Sequence, residues 1–279
     1  MIPVGVDAAA VEAVAMDLDR TILPRSLELT DRLVAAVAAV RATGVRPIIA
    51  TGRMFRSARP FALRLDLDTP LICYQGALIA DARSGEWLVH TPMPVPLARE
   101  VLGALDGQHV NVYVHDELYV EELNADALEY ARHSKLEPRV VGPLDEWLTE
   151  PTTKIVVVGD PGRMDDLGSR LRASFDGRLF IAKSLPEFLE VAEPDVSKGS
   201  GLHWVCEHLG ISAADVVAFG DNQNDRELLL EAGHGGAAGD ADPTLAALAD
   251  FSVPGPAEDG VAHFLSALAE ARGVDSAAG

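Results

Sequence analysis

The stretch VEAVAMDLDRTIL, residues 11–23, joins a short apolar run to two aspartates and decides the fold class. The apolar run ends at Asp17 and predicts a buried strand. Asp17 and Asp19 stand two positions apart, so in an extended segment both carboxylates face the crevice beyond the strand's carboxyl end. One such carboxylate can attack phosphorus and bind a cation while the other moves a proton. Taken alone, the pair fits a solvated turn equally well.

Strands and helices alternate on both sides of the middle of the chain. Residues 30–43 form an Ala-rich helical pattern that Thr30 caps and Gly44 stops. Similar patterns predict strands at 45–50, 71–74 and 216–219, and helices at 54–65, 199–209, 225–232 and after 259. Alternation of this kind is typical of the α/β class, in which helices cover both faces of a parallel sheet.

The middle of the chain does not continue the regular alternation of strands and helices. A β-hairpin is predicted to turn at Ser84 and Gly85, and strands and helices of mixed pattern continue to Ala192. We therefore expect a discontinuous core, residues 1–76 and 193–279, and an inserted α+β domain, residues 77–192. Residues 273–279 are expected to be a frayed tail.

Composition restricts the partners of this protein. The 279 residues include 43 acidic and 23 basic side chains, a formal charge of -20 that disfavours nucleic acid. A phosphate site in such a chain must supply its own positive charge from a metal, a lysine or helix N-termini. Cys73 and Cys206 are expected to be buried free thiols, and no apolar run is long enough for a membrane span, so we expect a soluble cytoplasmic protein.

Three further motifs follow strands or begin helices. FGDNQND, residues 219–225, adds the carboxylates of Asp221 and Asp225, which suit Mg²⁺ but also suit a turn and helix cap. ATGR, residues 50–53, offers a hydroxyl and a glycine that lets backbone N–H groups approach an anion, or is a plain turn. Lys198 in VSKGSGL begins a helix, although a surface lysine is the common case. Four such motifs at one sheet edge make chance a poor explanation.

DLDRTIL, ATGR, SKG and GDNQND, in this order around a large insertion, resemble the four motifs of the haloacid dehalogenase superfamily. The α+β insertion, YQGALI at 74–79 and EDGVAHFL at 258–265 resemble its Cof-type sugar-phosphatase branch. The resemblance implies a Rossmann-like core with a type IIB cap, Mg²⁺ as cofactor, and a small phosphorylated metabolite as partner.

The resemblance also implies residue roles. Asp17 would be the nucleophile and a metal ligand, Asp19 the general acid and base that also binds metal through its main-chain carbonyl, and Asp221 the third ligand. The phosphoryl group would be held by Leu18 (through its backbone), Thr51, Gly52, Lys198 and Asn224. Supporting roles would fall to Thr21 in the first loop, Asp225 beside Lys198 or the metal, and Arg53 as a bridge between core and cap.

Two positions depart from the family pattern. Arg20 stands where glycine is usual, and Gln75 where asparagine is usual. Arg20 would add a cation at the mouth of the site, crowd the loop, or point to solvent, and we expect the last. The leading hypothesis is a Mg²⁺-dependent phosphatase, monomer or homodimer, for a sugar phosphate or similar phosphomonoester. A sugar phosphomutase and a catalytically silent ligand sensor remain alternatives.

Overall fold

The computed structural model describes residues 2–105, 107–134 and 136–273. The predicted tail falls almost wholly on residues 274–279, outside this part of the chain. The strands are β1 (Ala13–Met16), β2 (Arg46–Ile49), β3 (Leu71–Cys73), β4 (Leu78–Ala80), β5 (Trp87–His90), β6 (His109–Val114), β7 (Glu117–Val120), β8 (Arg139–Val140), β9 (Lys154–Val158), β10 (Phe180–Leu185), β11 (Phe188–Ala192), β12 (Val216–Gly220), β13 (His234–Ala238) and β14 (Phe251–Val253).

The helices follow the same numbering along the chain. They are α1 (Asp31–Ala42), α2 (Phe55–Arg64), α3 (Val95–Ala104), α4 (Ala125–Ser134), α5 (Leu144–Trp147), α6 (Pro161–Phe175), α7 (Lys198–Leu209), α8 (Arg226–Glu231), α9 (Pro243–Leu248) and α10 (Gly260–Ala271). Thr30 caps α1 through a hydrogen bond from the Leu33 N–H, as its sequence position predicts. Within the described residues, no helix is both long and apolar enough to cross a membrane.

A five-stranded parallel sheet in the order β14-β13-β12-β1-β2 forms the centre of the core. Every residue of β1 is buried, and alternate side chains enter two different apolar clusters. One cluster includes α1 and α10, and the other includes α7 and α8. Because helices cover both faces, β1 is apolar throughout rather than alternating. The predicted α/β class is confirmed.

Strand β3 does not continue the parallel sheet, contrary to the sequence prediction. It pairs antiparallel with β4, which pairs with β5, and one parallel bridge from Ala50 to Ile72 links it to the central sheet. The chain turns back at Gly76, where φ is 103° and a Cβ would lie 2.1 Å from the Ser197 carbonyl oxygen. By its pairing, the hairpin belongs with the preceding segment, which favours an insertion that starts after β5. The division into two domains stays a prediction.

A second sheet, in the order β10-β11-β9-β6-β7-β8, forms the cap together with α3 to α6. One of its faces packs on α3 and α6 in a separate apolar cluster. The opposite face contributes Tyr113, Val156 and Phe188 to the cluster that also contains core residues. The cap therefore rests on the core through a continuous apolar contact.

Asp116, in the turn between β6 and β7, ties the cap to the core. Its carboxylate accepts hydrogen bonds from the backbone N–H groups of Phe55 (2.9 Å) and Arg56 (2.8 Å), the first two residues of α2. It also accepts a hydrogen bond from the Tyr74 hydroxyl at 2.7 Å. A cap residue thus satisfies the free N–H groups at the start of a core helix.

Candidate active site

The four sequence motifs meet at the carboxyl edge of the central sheet. Asp17 directly follows β1, Thr51 lies just beyond β2, and Asp221 directly follows β12. Lys198 is the first residue of α7, which packs against α8 beyond β12. Parallel strands end at one edge, and this brings side chains distant in the sequence into one site.

Lys198 is the buried centre of this site. Its ammonium donates hydrogen bonds to Asp17 Oδ1 at 2.5 Å and to Asp225 Oδ1 at 2.6 Å, and its side chain is fully buried. Burial lowers the pKa of Lys198, but the two carboxylates outweigh it and hold that pKa above its ordinary value. The two carboxylates therefore favour the charged form of Lys198, and the alternative of a surface lysine is wrong.

Asp17 lies in an environment that resists its ionisation. Burial raises the pKa of Asp17 well above its usual range, Lys198 opposes this, and the carboxylates of Asp225 and Asp221 add to it. Burial likewise raises the pKa of Asp221 to about 7, with a further contribution from Asp225. A cation bound between these carboxylates would favour their ionised forms.

Asp225 organises the loop after β12. Its Oδ2 accepts hydrogen bonds from the backbone N–H groups of Asp221 (3.0 Å) and Asn222 (3.1 Å), while its Oδ1 accepts from Lys198. A Cβ at Gly220 would lie 2.3 Å from the Cβ of Asp225, so this loop needs a glycine there. Both carboxylate oxygens of Asp225 are therefore occupied by the protein itself.

The loop after β1 is held by its own backbone and by Thr21. The Leu18 carbonyl accepts hydrogen bonds from the N–H groups of Ile22 (3.1 Å) and Leu23 (2.7 Å). The buried Thr21 hydroxyl lies 3.5 Å from Asp221 Oδ1, at the limit of a hydrogen bond. These contacts join the first and last motifs.

Asp19 and Arg53 form a bidentate ion pair. Arg53 Nε donates to Asp19 Oδ2 at 2.7 Å and Arg53 Nη2 donates to Asp19 Oδ1 at 2.5 Å. Arg53 also contacts Ser57 and the ring of Phe61, both in the core. A hydrogen bond between core and cap lies nearby, where the Lys154 ammonium donates to the Gly52 carbonyl at 2.7 Å. The role of Arg53 as a bridge to the cap stays a prediction.

The residues predicted to hold phosphate lie beside these carboxylates. Thr51 is buried, and its hydroxyl accepts a hydrogen bond from the Arg53 N–H at 3.2 Å. Asn224 donates through Nδ2 to Gln75 Oε1 at 3.3 Å, and its buried Oδ1 has no hydrogen-bond partner among the described residues. An unpartnered buried oxygen of this kind is suited to accept from a water or a ligand hydroxyl.

Arg20 lies at the edge of the site, where it is exposed to solvent, as expected, and also approaches Asp221. Its Nε lies 3.4 Å from Asp221 Oδ2, and its side chain is 42% exposed. The backbone at Arg20 has a φ of 62°, in the left-handed region that glycine adopts without strain. The side chain gained at this position therefore adds a cation beside Asp221.

A cavity of about 840 Å³ lies between core and cap and opens onto this site. From the core it is lined by residues of the predicted motifs, and from the cap by Tyr113, Tyr130, Arg132, Lys154 and Glu190. Asn222 Nδ2 donates to the Ser184 carbonyl of the cap at 3.1 Å. Sequence reasoning missed these cap residues because they carry no motif, and they face the site only through the docking of the cap.

The carboxylates fit a hard divalent cation such as Mg²⁺. Among the described residues, Asp17, Asp221 and Asp225 have carboxylate oxygens within 4.8 Å of one another. Asp221 Oδ2 is buried, and no described residue donates a hydrogen bond to it, although the Arg20 guanidinium lies 3.4 Å away. A buried carboxylate oxygen of this kind suits a divalent cation. Asp19 lies outside this group of side chains, so any part it plays at a metal falls to its main chain.

A capped parallel α/β sheet with aspartates and a buried lysine at its carboxyl edge defines an α/β enzyme whose site is built for an anionic substrate. More specifically, the chain belongs to the haloacid dehalogenase-like hydrolase family, whose model matches residues 14–265. The predicted superfamily is therefore confirmed.

Individual relatives extend this result. The chain is 30% identical to the pyridoxal phosphate phosphatase YbhA of Escherichia coli over 90% of this chain and 96% of the relative. It is also 30% identical to the HMP-PP phosphatase of Serratia proteamaculans, over 90% of this chain and 93% of the relative. The fold is that of the HAD subclass IIB sugar phosphatase BT4131, with a TM-score of 0.80 at 20% identity over 91% of this chain and 97% of that one. The chain is accordingly a phosphatase of this family with a IIB-type cap.

Proposed function

We propose that this protein is a Mg²⁺-dependent phosphatase that hydrolyses a small phosphomonoester through a phospho-aspartate on Asp17. The observation that carries the proposal is the arrangement around Asp17. Its buried carboxylate lies 2.5 Å from the Lys198 ammonium and within 4.8 Å of carboxylate oxygens of Asp221 and Asp225. Phosphoryl transfer requires mainly an in-line nucleophile and positive charge around the equatorial oxygens, and a carboxylate beside a buried ammonium supports that reaction.

In the first step Asp17 attacks phosphorus, the bond from phosphorus to the ester oxygen breaks, and Asp19 gives its proton to the leaving oxygen. In the second step the ionised Asp19 takes a proton from water, whose oxygen attacks phosphorus. The bond from phosphorus to Asp17 then breaks, which releases phosphate and restores both aspartates. Arg53 positions the Asp19 carboxylate through its bidentate ion pair.

The other predicted residues hold the group that is transferred. Lys198, Thr51, Gly52 and Asn224, with the backbone of Leu18, bind the phosphoryl oxygens. Asp225 orients Lys198, to which it is bonded at 2.6 Å, and Thr21 steadies the loop that carries both catalytic aspartates.

Asp17, Asp221 and the main-chain carbonyl of Asp19 are the proposed ligands of Mg²⁺. A cation held by these ligands would neutralise charge on the phosphoryl oxygens and would favour the ionised form of Asp17. Asp225 is a poor candidate for direct ligation because both of its oxygens already accept hydrogen bonds.

The proposed substrate is a sugar phosphate or another phosphometabolite of similar size. A cavity of about 840 Å³ between core and cap is of a size that suits such a molecule. Relatives that act on pyridoxal phosphate and HMP-PP support a small phosphorylated compound. The cytoplasmic location and the choice between monomer and homodimer stay predictions.

Phosphate release tests the proposal. Sugar phosphates, pyridoxal phosphate, nucleotides and small phosphorylated acids are assayed with Mg²⁺ or EDTA, for wild type, Asp17→Asn and the exposed-site control Asp145→Asn. We expect metal-dependent turnover that Asp17→Asn reduces at least about a thousandfold and the control leaves intact. Equal turnover by Asp17→Asn and wild type, or no release from any compound, would contradict the proposal.

A further inference from the structure

A series of polar contacts connects two proposed phosphate-binding residues of the core, Asn224 and Gly52, through two residues of the cap. Asn224 Nδ2 donates to Gln75 Oε1 at 3.3 Å, and Gln75 Nε2 donates to Glu190 Oε2 at 2.9 Å. Lys154 Nζ lies 3.3 Å from Glu190 Oε1 and donates to the Gly52 carbonyl at 2.7 Å. We call these five residues the bridge network. Lys154 and Glu190 belong to cap strands β9 and β11, and the other three belong to the core.

The bridge network is buried and therefore depends on all its members. Lys154 is 3% exposed, Glu190 is 4% exposed and Gln75 is fully buried. The Lys154 ammonium also lies 5.7 Å from the ring centroid of Tyr74 and 5.3 Å from that of Tyr113. Such a buried ion pair is tolerated because each charge has several partners. Since its members come from both units, the network is complete only while the cap is docked.

The Gln75 side chain is long enough to reach from Asn224 in the core to Glu190 in the cap, and it has space to do so. It adopts a φ of 59°, and its Nε2 lies only 2.4 Å from where a Cβ would stand at Gly52. The absence of a side chain at Gly52 therefore leaves room for the Gln75 amide. An asparagine at position 75 would be shorter by one carbon–carbon bond, about 1.5 Å, and would leave Glu190 Oε2 without its donor.

From this geometry we propose that Gln75, Glu190 and Lys154 are positioning residues that order Gly52 and Asn224 for phosphate when the cap docks. The proposal rests on the proposed function, since it assigns the ends of the network to phosphate binding. Lys154 holds the peptide carbonyl of Gly52, and Gln75 holds the carboxamide of Asn224. Displacements of about 1 Å at such groups are enough to cost large factors in rate.

The test uses inorganic phosphate, because its binding is measurable without turnover. Dissociation constants come from calorimetry with saturating Mg²⁺, and kcat and KM are measured with the best substrate. For Gln75→Asn we expect phosphate affinity and kcat each to fall about tenfold, and the melting temperature to fall as well because the buried Glu190 Oε2 loses its donor. Adding Glu190→Gln to Gln75→Asn should cost less than the product of the two single effects, because both changes break the same network.

Tyr74→Phe is the matched control. It removes the hydroxyl bonded to Asp116, another contact between core and cap, but it keeps the ring beside Lys154. We expect phosphate affinity within about twofold of wild type for this variant, since it breaks no link of the network. Wild-type affinity in Gln75→Asn, equal losses in Gln75→Asn and Tyr74→Phe, or multiplicative effects in the double variant would overturn the proposal. If the wild-type protein showed no metal-dependent turnover, that result would contradict the proposed function but not the role of the bridge network in phosphate binding.

Discussion

At the scale of single residues, the site depends on one buried ammonium shared by two carboxylates. Lys198 compensates Asp17 and Asp225, which are both buried. Removal of one partner from such a group leaves uncompensated charge in a poorly hydrated place, which is far more costly than the loss of an exposed pair.

Lys198→Met is therefore predicted to lower the free energy of unfolding by about 3–5 kcal/mol in EDTA and to reduce kcat at least about a hundredfold. The matched control is Lys183→Met, which breaks the pair of Lys183 with the exposed Asp165. The control substitution should lower the free energy of unfolding by less than about 1 kcal/mol. Urea denaturation measures both variants, and equal losses would contradict the compensating role of Lys198.

A site residue can be predicted from the sequence when it lies close to the end of a central strand. Asp17, Thr51 and Asp221 each follow a central strand within two residues, so the parallel sheet alone brings them together. Lys154 and Glu190 lie on neighbouring strands of the cap and reach the site only because the cap docks in one orientation. No local pattern encodes that orientation.

At the scale of elements, the start of α7 positions Lys198 by close packing on α8. A Cβ at Gly199 would lie 2.3 Å from the Glu227 carbonyl oxygen, so the two helices approach more closely than an alanine permits. The capping box between Ser197 and Ser200 holds the same helix end.

Gly199→Ala is predicted to lower the free energy of unfolding by about 1–3 kcal/mol and to lower kcat, because the helix start must shift and carry Lys198 with it. Gly103→Ala in α3 is the control, since a Cβ there meets no atom of the described residues within 4 Å. In the control, the free energy of unfolding should rise by up to about 1 kcal/mol, because alanine is a better helix former than glycine. If Gly199→Ala matched the control in stability and kcat, the packing argument would be wrong.

The elements that sequence patterns missed are short or lack apolar side chains. Strand β13 has the sequence HGGAA, and a Cβ at Gly236 would lie 2.7 Å from the ring of Phe251 and 2.8 Å from that of Phe219. Its strand conformation therefore comes from pairing with β12 and β14 and from the need for small residues there. The longer helices α1 and α7 were predicted within a residue or so because periodicity and caps agree.

At the scale of the whole molecule, stability and metal binding are linked through the buried carboxylates. Burial raises the pKa of Asp221 from its usual 3.8 to about 7, and burial raises that of Asp17 in the same direction. A carboxyl with a raised pKa binds its proton more tightly in the folded state than in the unfolded state. The metal-free protein should therefore lose stability as pH rises from about 4 to about 7.

Mg²⁺ should reverse this loss, because a cation stabilises the ionised carboxylates. We predict that the rise in melting temperature on adding Mg²⁺ to EDTA-treated protein is larger at pH 8 than at pH 5. Asp221→Asn should reduce both the pH dependence and the gain from Mg²⁺. An equal gain at the two pH values, or a full gain in Asp221→Asn, would show that these carboxylates do not bind the cation.

The central claim is that Asp17 carries the phosphoryl group during turnover, and chemical trapping tests it most directly. Borohydride reduces an acyl phosphate to an alcohol, so quenching the enzyme with borohydride during turnover of its best substrate converts a phosphorylated aspartate to homoserine. Peptide mass spectrometry should find that conversion at position 17, only with substrate and Mg²⁺ present, and not at Asp19 or Asp221. Sustained phosphate release with no modified Asp17, or with the modification at another residue, would contradict the account.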